Sequence, residues 1–206
     1  MQHTLKRIMD ILAATSLLLV LSPLLLLLAV MVRTRLGSPI FFTQTRIGLG
    51  EKPFTLIKFR TMTDARGPDG NLLIDADRLP AFGRWLRATS MDELPELWNI
   101  LIGDMSLVGP RPLLPQYLPH YTPREQQRHR MRPGITGLAQ VNGRNAIGWD
   151  ARLALDAQYV EQFSFMRDLM ILWKTVAVVL NRQGISAAGQ ATMHALDVER
   201  MRKGNQ

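Results

Sequence analysis

Residues 90–99 read Ser-Met-Asp-Glu-Leu-Pro-Glu-Leu-Trp-Asn and hold two adjacent carboxylates, Asp92 and Glu93, at the predicted start of a helix running to Ile102. Ser90 and Glu93 have capping-box spacing, and Asp92 is itself a good N-cap if the helix begins a turn later. Pro95 favours the later start, because proline is tolerated in a first turn. The positive end of the helix dipole favours ionised carboxylates there. An ionised Asp can act as a nucleophile or a Mg²⁺ ligand, and neighbouring free N–H groups can hold a phosphate. Plain capping explains the same residues with no chemistry at all.

The cations shift that balance. Pro110-Arg111-Pro112 presents an arginine from a stiff backbone, which limits the entropy lost on binding. Lys58 and Arg60 end an apolar run, Arg84 and Arg87 precede the carboxylate pair, and Arg128, Arg130, Arg132 and Arg144 fall in a stretch rich in Pro, Gly and Asn. Guanidinium forks suit bidentate phosphate binding, although a basic surface facing anionic lipid uses the same residues. Other chemistries lack their signatures. There is no cysteine, hence no thiol nucleophile, disulfide or Cys-ligated metal. No Walker loop, dinucleotide fingerprint, zincin motif or nucleophile elbow occurs, and the four histidines lack metal-ligand spacing.

Something must hold these residues in place, and one segment predicts where. Ile11 to Val32 is a run of 22 residues without a charge, long enough to be a membrane segment. A straight helix of that length would be about 33 Å long and could span. Two features favour a return to the same face. Lys6 and Arg7 flank one end and Arg33 and Arg35 the other, so a span would place basic residues outside. Ser22-Pro23 sits mid-run, where proline breaks the hydrogen-bond ladder. The rest of the chain predicts strands at Pro39–Gln44 and Phe54–Phe59, a polar loop over 63–80, and helices over 81–89, 92–102 and 123–130. A strand at Gly137–Val141 and helices at 149–163 and 168–182 complete it. The last helix, apolar around much of its circumference, suits either a core or the membrane interface.

Four strings carry a family resemblance: Lys58–Met62, Ser90–Asn99, Gly103–Pro112, and Arg132–Gly137 followed by Ala139–Asn145. They resemble the bacterial sugar transferases, the monotopic phosphoglycosyl transferases, over roughly Lys6 to Gly189. The short length and the ending Gly184–Met193 are similar to minimal single-domain members that start protein glycosylation with UDP-N,N'-diacetylbacillosamine. The resemblance implies an α+β fold with three parts: a re-entrant anchor over 1–35 broken at Ser22-Pro23, a catalytic domain over 36–190 with interfacial amphipathic helices, and a polar tail over 191–206. It implies transfer of a sugar-1-phosphate from a UDP-sugar to undecaprenyl phosphate with release of UMP. It places the enzyme on the cytoplasmic face of the bacterial inner membrane, with Mg²⁺. Asp92 matches the family's nucleophile and would touch the metal; Glu93 matches its partner, as a base or a metal holder. Lys58, Arg60, Arg87, Arg111, Arg132, Gln140, Asn142 and Arg144 become candidate substrate-binding residues. Leu138 stands where many members carry Trp.

The 206 residues carry a net charge of +8 and are 47% hydrophobic. A bland average therefore conceals a neutral apolar anchor attached to a basic remainder. Three other readings fit the same charge: a hexose-1-phosphate transferase starting an exopolysaccharide or O-antigen, a membrane-anchored scaffold, and, on charge alone, a nucleic-acid binder without a recognition motif.

Overall fold

The computed structural model describes residues 1–143, 147–180 and 196–204, and they form a mixed α+β protein with two small sheets. The apolar run becomes two helices, α1 (Gln2–Val20) and α2 (Ser22–Arg35), bent by 64° at the break. Pro23 lies in the first turn of α2, where its missing N–H costs nothing. The Ser22 hydroxyl donates to the Leu19 carbonyl at 2.8 Å, satisfying an acceptor near the break. Among the described residues no single helix is long and apolar enough to cross a membrane, while the bent pair passes that test together. One side of the pair packs inward through Ala14, Leu28 and Val32; Leu12, Leu19, Val20, Leu26 and Leu27 face outward.

The remaining elements follow in order. Strands β1 (Phe41–Ile47) and β2 (Pro53–Phe59) form an antiparallel hairpin in which Phe41 faces Phe59 and Gln44 faces Leu56. The first strand starts two residues later than the sequence predicts; Pro39 has no N–H to give a ladder. Then come a single turn α3 (Asp75–Arg78), α4 (Ala81–Ala88), a 3₁₀ turn over Met91–Glu93 and α5 (Glu96–Ile102). Strand β3 (Ser106–Val108), α6 (Pro123–Gln126) and β4 (Gly134–Thr136) follow, with β3 and β4 parallel. The chain closes with α7 (Leu138–Val141), α8 (Trp149–Glu161), α9 (Phe165–Leu180) and α10 (Leu196–Gly204).

The predicted strand at Gly137–Val141 is a correction. That stretch is the helical turn α7, and the strand lies just before it. A Cβ on Gly134 would sit 2.1 Å from the Gly109 nitrogen, so two glycines in close backbone contact, rather than an apolar pattern, select the pairing segment. The main core gathers Ala14 of α1, Leu56 of β2, Leu97 and Ile100 of α5, Val108 of β3, Tyr159 of α8 and Ile171 of α9. A second cluster packs Leu28, Val32 and Leu36 on Phe59, Phe82 and Leu86. Leu196 of α10 is buried with Leu113, Tyr117, Trp149 and Leu153.

Lys6 and Arg7 both find hydrogen-bond partners within the protein. The Lys6 ammonium donates to Asp168 Oδ2 at 2.6 Å and to the Val108 carbonyl at 2.7 Å, and both side chains are essentially buried. Tyr159 donates to the other Asp168 oxygen at 2.7 Å. Arg7 donates to the Ile100 and Leu101 carbonyls at the end of α5. Removing one partner of such a pair strands a buried charge. Lys6→Ala should therefore lower unfolding free energy by about 3–5 kcal/mol in denaturant titration, with Asp168→Asn in the same background restoring part of it.

Candidate active site

The carboxylate pair sits where four segments converge. Ser90 adopts a left-handed backbone, φ 56° and ψ 18°, which turns the chain out of α4 into the 3₁₀ turn Met91–Glu93. Neither Ser90 nor Asp92 caps a helix by its side chain, so the expected capping box is absent and α5 begins only at Glu96, after Pro95. Capping thus loses its claim on Asp92 and Glu93. Lys58 arrives near the end of β2, and Arg111 from the extended segment between two prolines.

Charge is unevenly shared in this cluster. Glu93 Oε1 accepts from Lys58 Nζ at 2.7 Å and from Arg111 at 2.6 Å. Lys58 also contacts Glu96 Oε1 at 3.0 Å. Burial opposes ionisation of Glu93, but Arg111 and Lys58 outweigh it and hold its carboxyl far below the usual carboxylate range. Burial pushes Glu96 up to about 7, with the Glu93 charge adding to it against the pull of Lys58. Asp92 forms no hydrogen bond or ion pair among the described residues. Burial, then the neighbouring Glu93 charge, raise it to about 6 despite Lys58, Arg111 and Arg87 nearby. The result is one clamped carboxylate beside one desolvated, unengaged carboxylate, with cations around both.

The predicted binding residues divide by location. Lys58 and Arg111 belong to the cluster, and Arg87, held by its Nε on Thr61 Oγ1 at 3.0 Å, is close enough to act on Asp92 electrostatically. Arg60 is buried and fully engaged: it donates to Met62 O, Ser38 O and Asp64. Arg132 donates from Nε to the Gly103 carbonyl at 2.8 Å, at the far end of α5, and lines a separate cleft. Gln140 and Asn142 lie on and just after α7, which packs on α8 and α9; Asn142 donates to Leu138 O, while the Gln140 amide is buried without a partner. Arg144 lies outside the described residues.

The sequence reading overlooked Glu96, Asn99 and Arg46, and gave Arg128 a phosphate-binding role in place of the structural one it has. Glu96 shares Lys58 with Glu93, and its place in the same string as the pair was a visible signal. Buried Asn99 accepts from Ile57 N and donates to Thr55 O, locking α5 onto β2 next to Lys58. Arg128, paired with Asp156 at 2.8 Å and donating to the Arg111 carbonyl, holds the proline-flanked arginine in place. Arg46, whose buried Nε has no partner, stands close enough to Arg111 for the two charges to repel. Burial and the Arg111 charge both disfavour the charged form of Arg46, even with Arg111 paired to Glu93, and an anion placed beside Arg46 would offset this. Among the described residues no group of three His, Asp or Glu could hold a metal ion by itself. Asp92 is the one carboxylate of the cluster left free, and a single carboxylate completed by substrate phosphates and water is a common Mg²⁺ arrangement.

Fold and site together place one clamped and one unengaged carboxylate, ringed by cations, beside a bent apolar helix pair. A profile for bacterial sugar transferases matches residues 1–182, and the chain belongs to that family. It is 54% identical to the uncharacterized sugar transferase EpsL of Bacillus subtilis, over 91% of this chain and 93% of that protein. It is 43% identical to a UDP-glucose:undecaprenyl-phosphate glucose-1-phosphate transferase of Caulobacter vibrioides, over 85% of this chain and 69% of that one. Identity to an undecaprenyl-phosphate galactose phosphotransferase of Salmonella typhimurium is 39%, over 87% of this chain but 41% of that longer protein.

The raised Asp92 has a consequence for stability. In the unfolded chain it ionises near its ordinary value of 3.8, and in the folded protein only near about 6. Folding stability contributed here is therefore lost as pH rises between those values, and the cost is complete above about 6. Asp92→Asn should be more stable than wild type at neutral pH by about 1–3 kcal/mol, and that gain should vanish below about pH 4. Equal melting temperatures at neutral pH would contradict the desolvated state of Asp92.

Proposed function

We propose that the chain transfers a sugar-1-phosphate from a UDP-sugar to undecaprenyl phosphate, releasing UMP, through a covalent phospho-Asp92 intermediate. The observation carrying this is the unengaged, desolvated Asp92 beside a Glu93 neutralised by Lys58 and Arg111. In the first step an Asp92 oxygen bonds to the β-phosphorus, and the bond from that phosphorus to the UMP oxygen breaks; UMP leaves with the electron pair. In the second, an oxygen of the lipid phosphate bonds to phosphorus and the Asp92–phosphorus bond breaks, restoring the carboxylate. Each step exchanges one energy-rich phosphoryl linkage for another, so positioning and charge stabilisation do most of the catalysis.

Arg111, Arg87 and Arg46 supply donors for diphosphate oxygens, and Glu93 fixes Lys58 and Arg111. Asp92 would be the protein's ligand for a Mg²⁺ ion, which would supply neutralisation of the charge on the diphosphate. The relatives that name a sugar name glucose and galactose, so a UDP-hexose is the first donor to try and UDP-N,N'-diacetylbacillosamine the second. The setting is the cytoplasmic face of a bacterial inner membrane, with α1 and α2 entering and leaving the same leaflet. The 64° bend and the outward Leu residues support this, as does the exposed stripe Met166, Leu169, Met170, Trp173 and Val176 along α9.

The expected outcome in mixed micelles is UMP release from one of these UDP-sugars, a burst of it before acceptor is added, and a mass adduct on Asp92. Asp92→Asn should lose turnover about a thousandfold or more, together with the adduct. Wild-type-like transfer by that variant would refute the nucleophile, and absence of UMP release from every UDP-sugar would favour a scaffold. Since ionised Asp92 attacks, kcat/KM should fall about tenfold per unit as pH drops below about 6 and level off above it. Labelling of both ends of the helix pair from opposite membrane faces would exclude re-entry.

A further inference from the structure

A second charged recess lies away from the carboxylate cluster. It is a cleft of about 280 Å³ whose lining includes His3, Lys6, Arg7, Asp10, Arg130 and Arg132. None of these residues takes part in the Lys58–Glu93–Arg111 contacts. Four cations face one carboxylate, and the internal partners do not exhaust them. Lys6 is satisfied by Asp168 and Val108 O, and Asp10 accepts from Leu107 N. Arg7 and Arg132 reach the last carbonyls of α5, with only Nε of Arg132 engaged. Arg130 is exposed and has no partner among the described residues. The cleft therefore keeps open guanidinium donors and a surplus of positive charge.

Its position says which anion it meets. His3, Lys6 and Arg7 lie in the first two turns of the helix that carries no charge from Ile11 on, about 7 Å beyond Lys6 along its axis. His3 stacks on Phe163 at 4.8 Å, and Gln2 accepts from Phe165 N, so the rim adjoins the start of α9 with its outward apolar stripe. With both helices at a bilayer surface, the cleft lies at headgroup depth.

We propose that this cleft binds the phosphodiester of an anionic lipid headgroup, with Arg130 and the terminal nitrogens of Arg132 as its donors. The site is separate from the one that binds the substrate diphosphate. It rests on the reading that the helix pair lies in one leaflet. Because Arg7 and Arg132 hold the far end of α5, a headgroup there joins the bilayer surface to the helix that follows the Asp92 turn.

The test uses the full chain in neutral phosphatidylcholine–detergent micelles, titrated with phosphatidylglycerol and followed by melting temperature. A saturable rise is expected for wild type, and Arg130→Glu should weaken the apparent affinity about tenfold, with Arg130→Lys close to wild type. Asp92→Asn should keep the wild-type response. An identical titration for Arg130→Glu would overturn the proposal, as would an equal rise from inorganic phosphate, which would make the occupant a free anion. Loss of the response in Asp92→Asn would move the lipid to the catalytic cluster and overturn it too. A retained response with no UMP release from any UDP-sugar would sink the transferase reading and leave this one standing.

Discussion

The buried pair of Lys6 and Asp168 is the contact on which the rest of the arrangement depends. Asp168 lies in the first turn of α9, Lys6 in the second turn of α1, and the ammonium also reaches the Val108 carbonyl of β3. One charge thus ties the start of the apolar helix pair to the small parallel sheet and to the last long helix. Burying two charges gains little net stability, since desolvation consumes most of the attraction. What it supplies is a penalty for misplacement: if α1 slides or tilts, an ammonium and a carboxylate are left in a dry interior. The anchor therefore has one seat, and the hydroxyl of Tyr159 on the second Asp168 oxygen narrows it further.

From that seat the order passes along α5. This short helix packs on α1, and Arg7 from α1 and Arg132 from the chain before β4 grip its last carbonyls. At its other end it carries Glu96 and follows the turn that holds Asp92 and Glu93. Asn99 in its middle bonds the β2 backbone on either side of Leu56, which fixes the strand that delivers Lys58. The proposed transfer between a soluble nucleotide and a lipid phosphate would require its nucleophile at a set depth. A rigid helix of about 10 Å between anchor and turn is one way to set it.

The local chemistry was more legible in the sequence than the long-range placement. Asp92, Glu93, Lys58 and Arg111 belong to motif strings, and short-range rules already marked the Ser22-Pro23 break. The functions of Lys6 and Arg7 were not legible. Beside an apolar run they read as topology signals, because Asp168 and the carbonyls of Ile100 and Leu101 are distant in sequence. Arg60, Arg128 and Arg132 show the same limit. Composition gives each one a phosphate-binding capacity, and only packing shows that Arg60 is occupied by Met62, Ser38 and Asp64, and Arg128 by Asp156. The parallel pair of β3 and β4 escaped notice because three-residue strands carry no period, and the glycine contact that aligns them is a backbone property.

The absence of cysteine and the state of Asp92 belong to one argument. A carboxylate is a weak nucleophile when water solvates it, so its usefulness depends on what surrounds it. Here burial raises Asp92 while the cations that would stabilise its charge are directed to Glu93. Had Arg111 and Lys58 paired with Asp92 instead, its ionised form would be comfortable and its oxygens occupied. Glu93 thus acts on the electrostatics in two ways: it draws the cations onto itself, and its own charge makes Asp92 costly to ionise. Under the proposed function the same cations, already fixed by Glu93, Thr61 and the two prolines, would be preorganised for a diphosphate. An arriving phosphate anion and its counter-cation would complete the charge balance that the free protein leaves open. The cost of ionising Asp92 is then what such a ligand would relieve.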